Sequence, residues 1–266
     1  MGGLLMIIVL RKDALIRILA AVAGCVLILG SLTYFYPGWA IRSIATIANI
    51  NRLVPIYNVE RTEKVVALSF DAAWGADFTE DLLETLARHE IRATFFLVGF
   101  WVERYPDMAK RISSAGHEIG NHSSTHPHMP TLNVEQITFE ISRTHDLIKE
   151  VTGQEARLFR PPFGEYSNRV IETLDSLNYL TIQWSIDSLD WQQNMTKDDI
   201  LRRVTTRIHP GAIVLFHNNA TYTPEALGPI IVRLKQEGYS FVPIGELLLT
   251  DNWYIDKSNG MQRPKQ

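Results

Sequence analysis

From Lys64 onward, short runs of β-branched and aromatic residues alternate with longer amphipathic stretches. This rhythm restricts the chain to folds built from repeated βα units. Strands are expected at Val65 to Phe70, Ala93 to Val98, Glu118 to Gly120, Leu158 to Arg160, Leu180 to Ile186, Ala212 to Phe216 and Phe241 to Val242. Helices are expected near Thr79 to His89, Pro106 to Ala115, Val134 to Val151, Asn168 to Leu177, Lys197 to Ile208 and Pro224 to Glu237. Gly116, Gly153, Gly211 and Gly238 each fall just beyond a helical stretch, where a left-handed cap costs glycine little. A parallel β/α barrel, complete or short of a strand, fits this order better than an open doubly wound sheet.

The chemistry clusters in one place on that plan. Asp71, His122, Arg160, Asp187 with Asp190, and His217 all fall at or just past the C-terminal ends of expected strands, the face on which such barrels assemble active sites. In NHSSTH, His122 and His126 are four residues apart, so a turn or tight loop can aim both imidazoles at one divalent ion. A histidine pair at this spacing can also be structural, but the small polar residues between them could set the ring tautomers. Asp71 closes a strongly apolar run, where a carboxylate is costly unless it is solvated, paired or metal-bound; a strand-end turn or a helix cap is the plainer alternative. Arg160, stiffened by Pro161 and Pro162, could hold Asp71 ionised through a bidentate pair or could be a surface ion pair worth little. His217 follows Ile213 to Phe216 and reads either as a buried structural histidine or as a proton donor that Asp190 polarises. Trp74, Trp101, Trp184 and Trp191 could each serve as a sugar-stacking face or as core.

Composition removes several classes of function. A formal charge of −3 and the lack of a basic run give no footprint for nucleic acid. One cysteine, Cys25, excludes an internal disulfide and any thiolate cluster, so a metal would rest on histidine and carboxylate. Ile18 to Tyr36 is uncharged, mostly apolar and of bilayer-crossing length, with Arg11, Lys12 and Arg17 before it. The positive-inside rule then places the N-terminus in the cytoplasm and the rest outside, with Tyr34, Phe35, Tyr36 and Trp39 at the outer interface. Two other fates also export the catalytic region: cleavage as a secretory signal, and lipidation at Cys25, whose Val22-Ala23-Gly24-Cys25 context resembles a lipoprotein box. The expected organisation is a stub and transmembrane signal-anchor over 1–36, a stalk over 37–60, a catalytic domain over 61–250 and a loose polar tail over 251–266.

The ordered set SFD, NHSSTH, RPPFG, DSLDW and LFH resembles the five motifs of the NodB-type polysaccharide deacetylases, carbohydrate esterase family 4, across roughly Val65 to Leu249. The resemblance implies a distorted (β/α)7-8 barrel, here preceded by one N-terminal transmembrane helix, that removes acetyl groups from polysaccharide. It implies metal ligands at His122 and His126, a catalytic base at Asp71 braced by Arg160, and a general acid at His217 tuned by Asp190 rather than Asp187. The cofactor implied is a divalent metal, zinc by expectation. The substrate implied is N-acetylated cell-wall glycan, peptidoglycan or a chitin-like oligomer, met at the outer face of the cell membrane. One position departs from the pattern. The family's third metal ligand, a second aspartate, falls on Ala72. Asp71 could move onto the metal, Asp77 could replace the missing ligand, or water could fill the place. AAWGAD also resembles a sporulation-linked, peptidoglycan-directed subgroup in which that aspartate is likewise absent. A glycan-binding protein that keeps the groove without the chemistry is therefore the rival expectation.

Overall fold

The computed structural model describes residues 52–265, together with Leu19, Val22 and Ala23. Apart from those three residues, the run read as a membrane span lies outside the described residues, among which no helix is long and apolar enough to cross a membrane. A compact unit begins at Leu53. In chain order it comprises β1 (Asn58–Val59), β2 (Val65–Ala72), α1 (Thr79–Arg88), β3 (Thr94–Leu97), α2 (Gly99–Arg104), α3 (Pro106–Ser114), β4 (Glu118–Asn121), α4 (Val134–Thr152) and β5 (Leu158–Phe159). It continues with α5 (Asn168–Ser176), β6 (Leu180–Thr181), β7 (Ile186–Asp187), α6 (Lys197–Thr205), β8 (Ile213–His217), α7 (Thr223–Gln236), β9 (Ser240–Phe241), α8 (Ile244–Leu247), β10 (Trp253–Asp256) and β11 (Met261–Pro264).

The main sheet is parallel throughout, in the order β6-β5-β4-β3-β2-β8-β7, with β9 pairing the start of β2. β2 is the central strand, buried from Val66 to Ala72 between β3 and β8, which explains why its sequence is continuously apolar rather than alternating. Phe70 stacks on Phe95 at 4.8 Å and on Phe216 at 5.5 Å, contacts worth about 1 kcal/mol each beyond area burial. α4 starts at a capping box made by Asn133 and Gln136 and ends at Gly153, whose φ of 74° is the left-handed cap that glycine adopts freely.

The expected single strand over Leu180 to Ile186 is one extended run with a bend, and the bend closes the barrel. Leu180 and Thr181 pair with β5 at one end of the sheet, whereas Ile186 and Asp187 pair with β8 at the other. Across the bend, the Ser185 amide donates to the Ile213 carbonyl. The N-terminal segment covers this seam: the Ile56 amide donates to Thr181 at 2.9 Å, the Gln183 amide donates to Ile56 at 2.7 Å, and the Val59 amide donates to Gly211 at 3.0 Å. Part of the expected stalk is thus built into the domain.

The expected loose tail is ordered. β10 and β11 form an antiparallel hairpin, and β11 pairs with β1 in parallel. The side chain of the fully buried Gln262 accepts from the Leu249 amide at 2.9 Å and donates to the Leu249 carbonyl at 3.0 Å, tying the hairpin to the domain. Polar composition suggests a tail, but here the polar groups are used as hydrogen-bond partners.

Gly211 sits where β1 meets β8, with a φ of 74° and the Val59 carbonyl lying where a Cβ would go. Gly211→Ala is expected to lower stability by about 2–4 kcal/mol, because it combines left-handed strain with a backbone collision. Urea unfolding checks this; an unchanged midpoint would show that the seam yields freely.

Candidate functional site

The C-terminal ends of β2, β4, β5, β7 and β8 surround a cavity of about 690 Å³. Asp71, His122, His126, Asp187, Asp190 and His217 all line it, and Arg160 is sealed beneath. Asp71 and His217 are register partners on neighbouring parallel strands, so the pleat points both side chains the same way.

Arg160 is completely buried and holds the floor together. Its Nη1 donates to Asp71 Oδ1 at 2.7 Å, and its Nη2 donates to Ser69 Oγ at 2.9 Å and to the Gln183 carbonyl at 3.2 Å. The pair with Asp71 uses one nitrogen rather than the bidentate fork anticipated, because Ser69 and Gln183 take the other. Phe96 lies under the guanidinium at 4.2 Å and adds cation–π stabilisation. Burial opposes ionisation of Asp71, but Arg160, with lesser help from His122 and His217, outweighs it and holds the carboxyl below its ordinary range.

His122 Nδ1 lies 2.6 Å from the Arg160 carbonyl, an acceptor that requires the proton on Nδ1. Nε2 is left with its lone pair, 3.5 Å from Asp71 Oδ2. The imidazole tautomer is thus set by a backbone oxygen and not by the intervening serines and threonine. Burial, and then the neighbouring His122, push His126 down to about 4, so it too is a neutral imidazole near pH 7. Its Nδ1 is buried with no hydrogen-bond partner among the described residues.

A tight loop, not a helical turn, carries these histidines, with Ser123 at φ 69° and His126 at φ 57°. Glu140 on α4 holds it: one carboxylate oxygen accepts from the Ser124 and Thr125 amides at 2.7 and 2.8 Å, and the other accepts from Thr125 Oγ1 at 2.8 Å. From the opposite side, the first amides of α2 donate to the Ser123 and Ser124 carbonyls. Glu140 escapes a motif-based reading of the sequence, although a signal exists. It interrupts the buried stripe Ile137, Ile141, Thr144, Ile148 of an amphipathic helix, where a carboxylate needs donors.

At the other wall, His217 Nδ1 lies 2.8 Å from Asp190 Oδ1, while Asp190 Oδ2 accepts from the His217 amide at 2.8 Å and from Thr223 Oγ1 at 2.6 Å. Burial works against the imidazolium, but Asp190, with Asp71 and Asp187 behind it, raises the His217 pKa. Asp187 accepts from the Leu189 amide rather than touching His217, and burial raises its own pKa. Trp101 is core, its indole donating to the Gly75 carbonyl, so it is no sugar platform. Trp74 and Trp191 are exposed at the cavity mouth, and Trp184 lines the cavity from within.

The donors fit a metal in part. Two neutral imidazoles, one with an unpartnered buried nitrogen, are suitable ligands. No third ligand stands ready: Ala72 is fully buried in the hydrophobic core, Asp77 is exposed and outside the cavity lining, and Asp71 gives Oδ1 to Arg160 while its Oδ2 lies 3.5 Å from His122 Nε2. Among the described residues no three histidine, cysteine or carboxylate side chains converge on one point. The set therefore fits a two-histidine hold and does not fit a three-ligand centre.

Residues 58–182 match the family described as polysaccharide deacetylase. The chain is 34% identical to the peptidoglycan-N-acetylmuramic acid deacetylase PdaA of Bacillus subtilis, over 75% of this chain and 78% of that protein. It is 34% identical to a peptidoglycan-N-acetylglucosamine deacetylase of Bacillus cereus, over 72% of this chain and 92% of that one. Among solved structures, a CE4 family pseudoenzyme of Bacillus anthracis is 41% identical with a TM-score of 0.70, covering 73% of this chain and 68% of that one. A mutant of a CE4 family pseudoenzyme with restored enzymatic activity, 42% identical, also gives a TM-score of 0.70 and covers 73% of this chain and 71% of that one. The chain belongs to the NodB-type polysaccharide deacetylases of carbohydrate esterase family 4.

Arg160→Ala leaves Asp71 buried without its counter-ion and is expected to cost about 3–5 kcal/mol in urea unfolding; adding Asp71→Asn should recover part of it. An undiminished midpoint in the single variant would sink this account of the floor. The raised pKa of His217 means that its pairing with Asp190 stabilises the fold at low pH and is lost as pH rises through the folded-state value. Asp190→Asn should therefore move the His217 titration, followed by imidazole NMR, to lower pH. A titration that stays in place would mean that Asp190 does not tune it.

Proposed function

We propose that this member of the polysaccharide deacetylase family hydrolyses the acetamide of N-acetylated sugars in cell-wall polysaccharide, peptidoglycan above all, and releases acetate. The observation that carries the reading is the juxtaposition of Asp71 and His217 in adjacent strand register. Arg160 holds the pKa of the first below its ordinary range, and Asp190 raises that of the second. Asp71 is suited to take a proton from water attacking the acetamide carbon, and His217 to deliver one to the departing amine. Amide hydrolysis needs both groups, because the amine is a poor leaving group until protonated. A divalent ion on His122 and His126 would add Lewis-acid polarisation of the carbonyl. The N-terminal apolar run would hold the domain at the outer face of the cell membrane or direct its export.

Ala72 favours a second reading, in which the cleft binds glycan but turns it over poorly. It supplies a methyl group where the family places a ligand, and the Bacillus anthracis relative of similar fold is described as a pseudoenzyme. The wild-type chain, Ala72→Asp and His217→Ala are to be compared for acetate release from purified peptidoglycan, with and without zinc, and for zinc affinity by calorimetry. The loss of outer-shell partners alone costs 10–100-fold in metal affinity, so a direct ligand at position 72 should tighten zinc binding by at least about tenfold. Zinc-stimulated release by the wild type, abolished in His217→Ala, establishes the deacetylase. Release by Ala72→Asp alone establishes the impaired form, and release by neither removes the hydrolytic reading.

A further inference from the structure

The charge on the cleft walls bears on which acetylated sugar the cleft accepts. Among the described residues that line it there is no lysine or arginine, whereas Asp71, Asp187 and Asp190 all do. The cation nearest the floor, Arg160, is fully buried and spends its terminal nitrogens on Asp71, Ser69 and Gln183. The imidazole of His217 is held by Asp190. His128, stacked on the lining residue Phe163, is paired with Glu165 at 2.8 Å. The remaining polar lining is uncharged, with Gln192, Gln193, Asn219 and Thr221 offering amide and hydroxyl groups of the kind that bond sugar hydroxyls. Trp74 and Trp191, 59% and 58% exposed, present flat faces for the apolar side of a pyranose ring.

Resting on the deacetylase reading, we infer that the sugar whose acetamide enters this cleft is an uncharged N-acetylhexosamine of the N-acetylglucosamine type. The cleft discriminates against the same sugar bearing a carboxylate-tipped ether on O3, as in N-acetylmuramic acid. O3 is carried by the ring carbon next to the one bearing the acetamide, so that carboxylate cannot lie far from the reacting group. The one cationic side chain it can meet on the walls is the His217 imidazole, already paired with Asp190; everywhere else it finds aspartates or neutral groups and would lose water without gaining a free counter-ion.

The test titrates the full-length chain, in the presence of a chelator, with N-acetylglucosamine, N-acetylmuramic acid and the neutral lactyl amide of N-acetylmuramic acid, reading tryptophan fluorescence. N-acetylglucosamine should bind at least about tenfold more tightly than the free acid, with most of the loss recovered by the amide. Gln193→Lys should strengthen binding of the acid by about fivefold, the scale of one exposed ion pair. Equal affinity for the acid and N-acetylglucosamine, or an amide no better than the acid, would overturn the inference. Binding of none of the three removes both the glycan reading and this inference. Binding of N-acetylglucosamine without acetate release under any metal keeps the inference and fails only the hydrolytic reading.

Discussion

The site depends on a charge placed where charge is hardest to keep. Arg160 is a fully buried cation, and the groups that justify its burial are the Asp71 carboxylate, the Ser69 hydroxyl, the Gln183 carbonyl and the face of Phe96. An arginine in that position obliges the strand beside it to end in an acid. The same residue's backbone carbonyl selects the His122 tautomer, so one position sets both the ionisation of the candidate base and the lone pair available to a metal. The site's other paired acid, Asp190 with the His217 imidazole, is built on the same plan, with its carboxylate satisfied by an amide and a threonine hydroxyl.

Much of this is legible in the sequence because the chemistry sits at strand ends. The apolar run that stops at Asp71 and the run that stops at His217 locate the two side chains without any knowledge of register, and the helical stretches from Thr79, Pro106, Val134 and Asn168 begin where expected. The rest is decided by pairing with residues distant in sequence. Val59 belongs to a sheet only because Gln262 lies opposite it, and no pattern within Asp251 to Gln266 announces that partner. Leu180 to Ile186 is extended as its composition indicates, but the change of neighbours at its middle is a property of barrel closure. Glu140 looks like an ordinary helix residue because the amides it holds belong to a loop 15 and 16 positions upstream.

The frame around the two histidines is held by residues other than Ala72, which supplies no ligand. The strand carries it into the hydrophobic core, its carbonyl accepting from the Val98 amide, and the surrounding histidine loop keeps both of its left-handed residues. The shape of the groove rests on the Glu140 clamp and the buried arginine, not on the side chain at position 72.

The seam has a mechanical consequence. Tension applied to the chain upstream of Leu53 would first reach the bond from the Leu53 amide to Asn168 and then the bridge from Ile56 to Thr181 and Gln183 at the edge of the sheet, before the central strands β2 and β8 bear it. Those contacts act as a fuse: a pull strong enough to strip them would uncover the bend between β6 and β7, which the chain itself keeps joined, while leaving β2 and β8, with Asp71 and His217 on them, still zipped together.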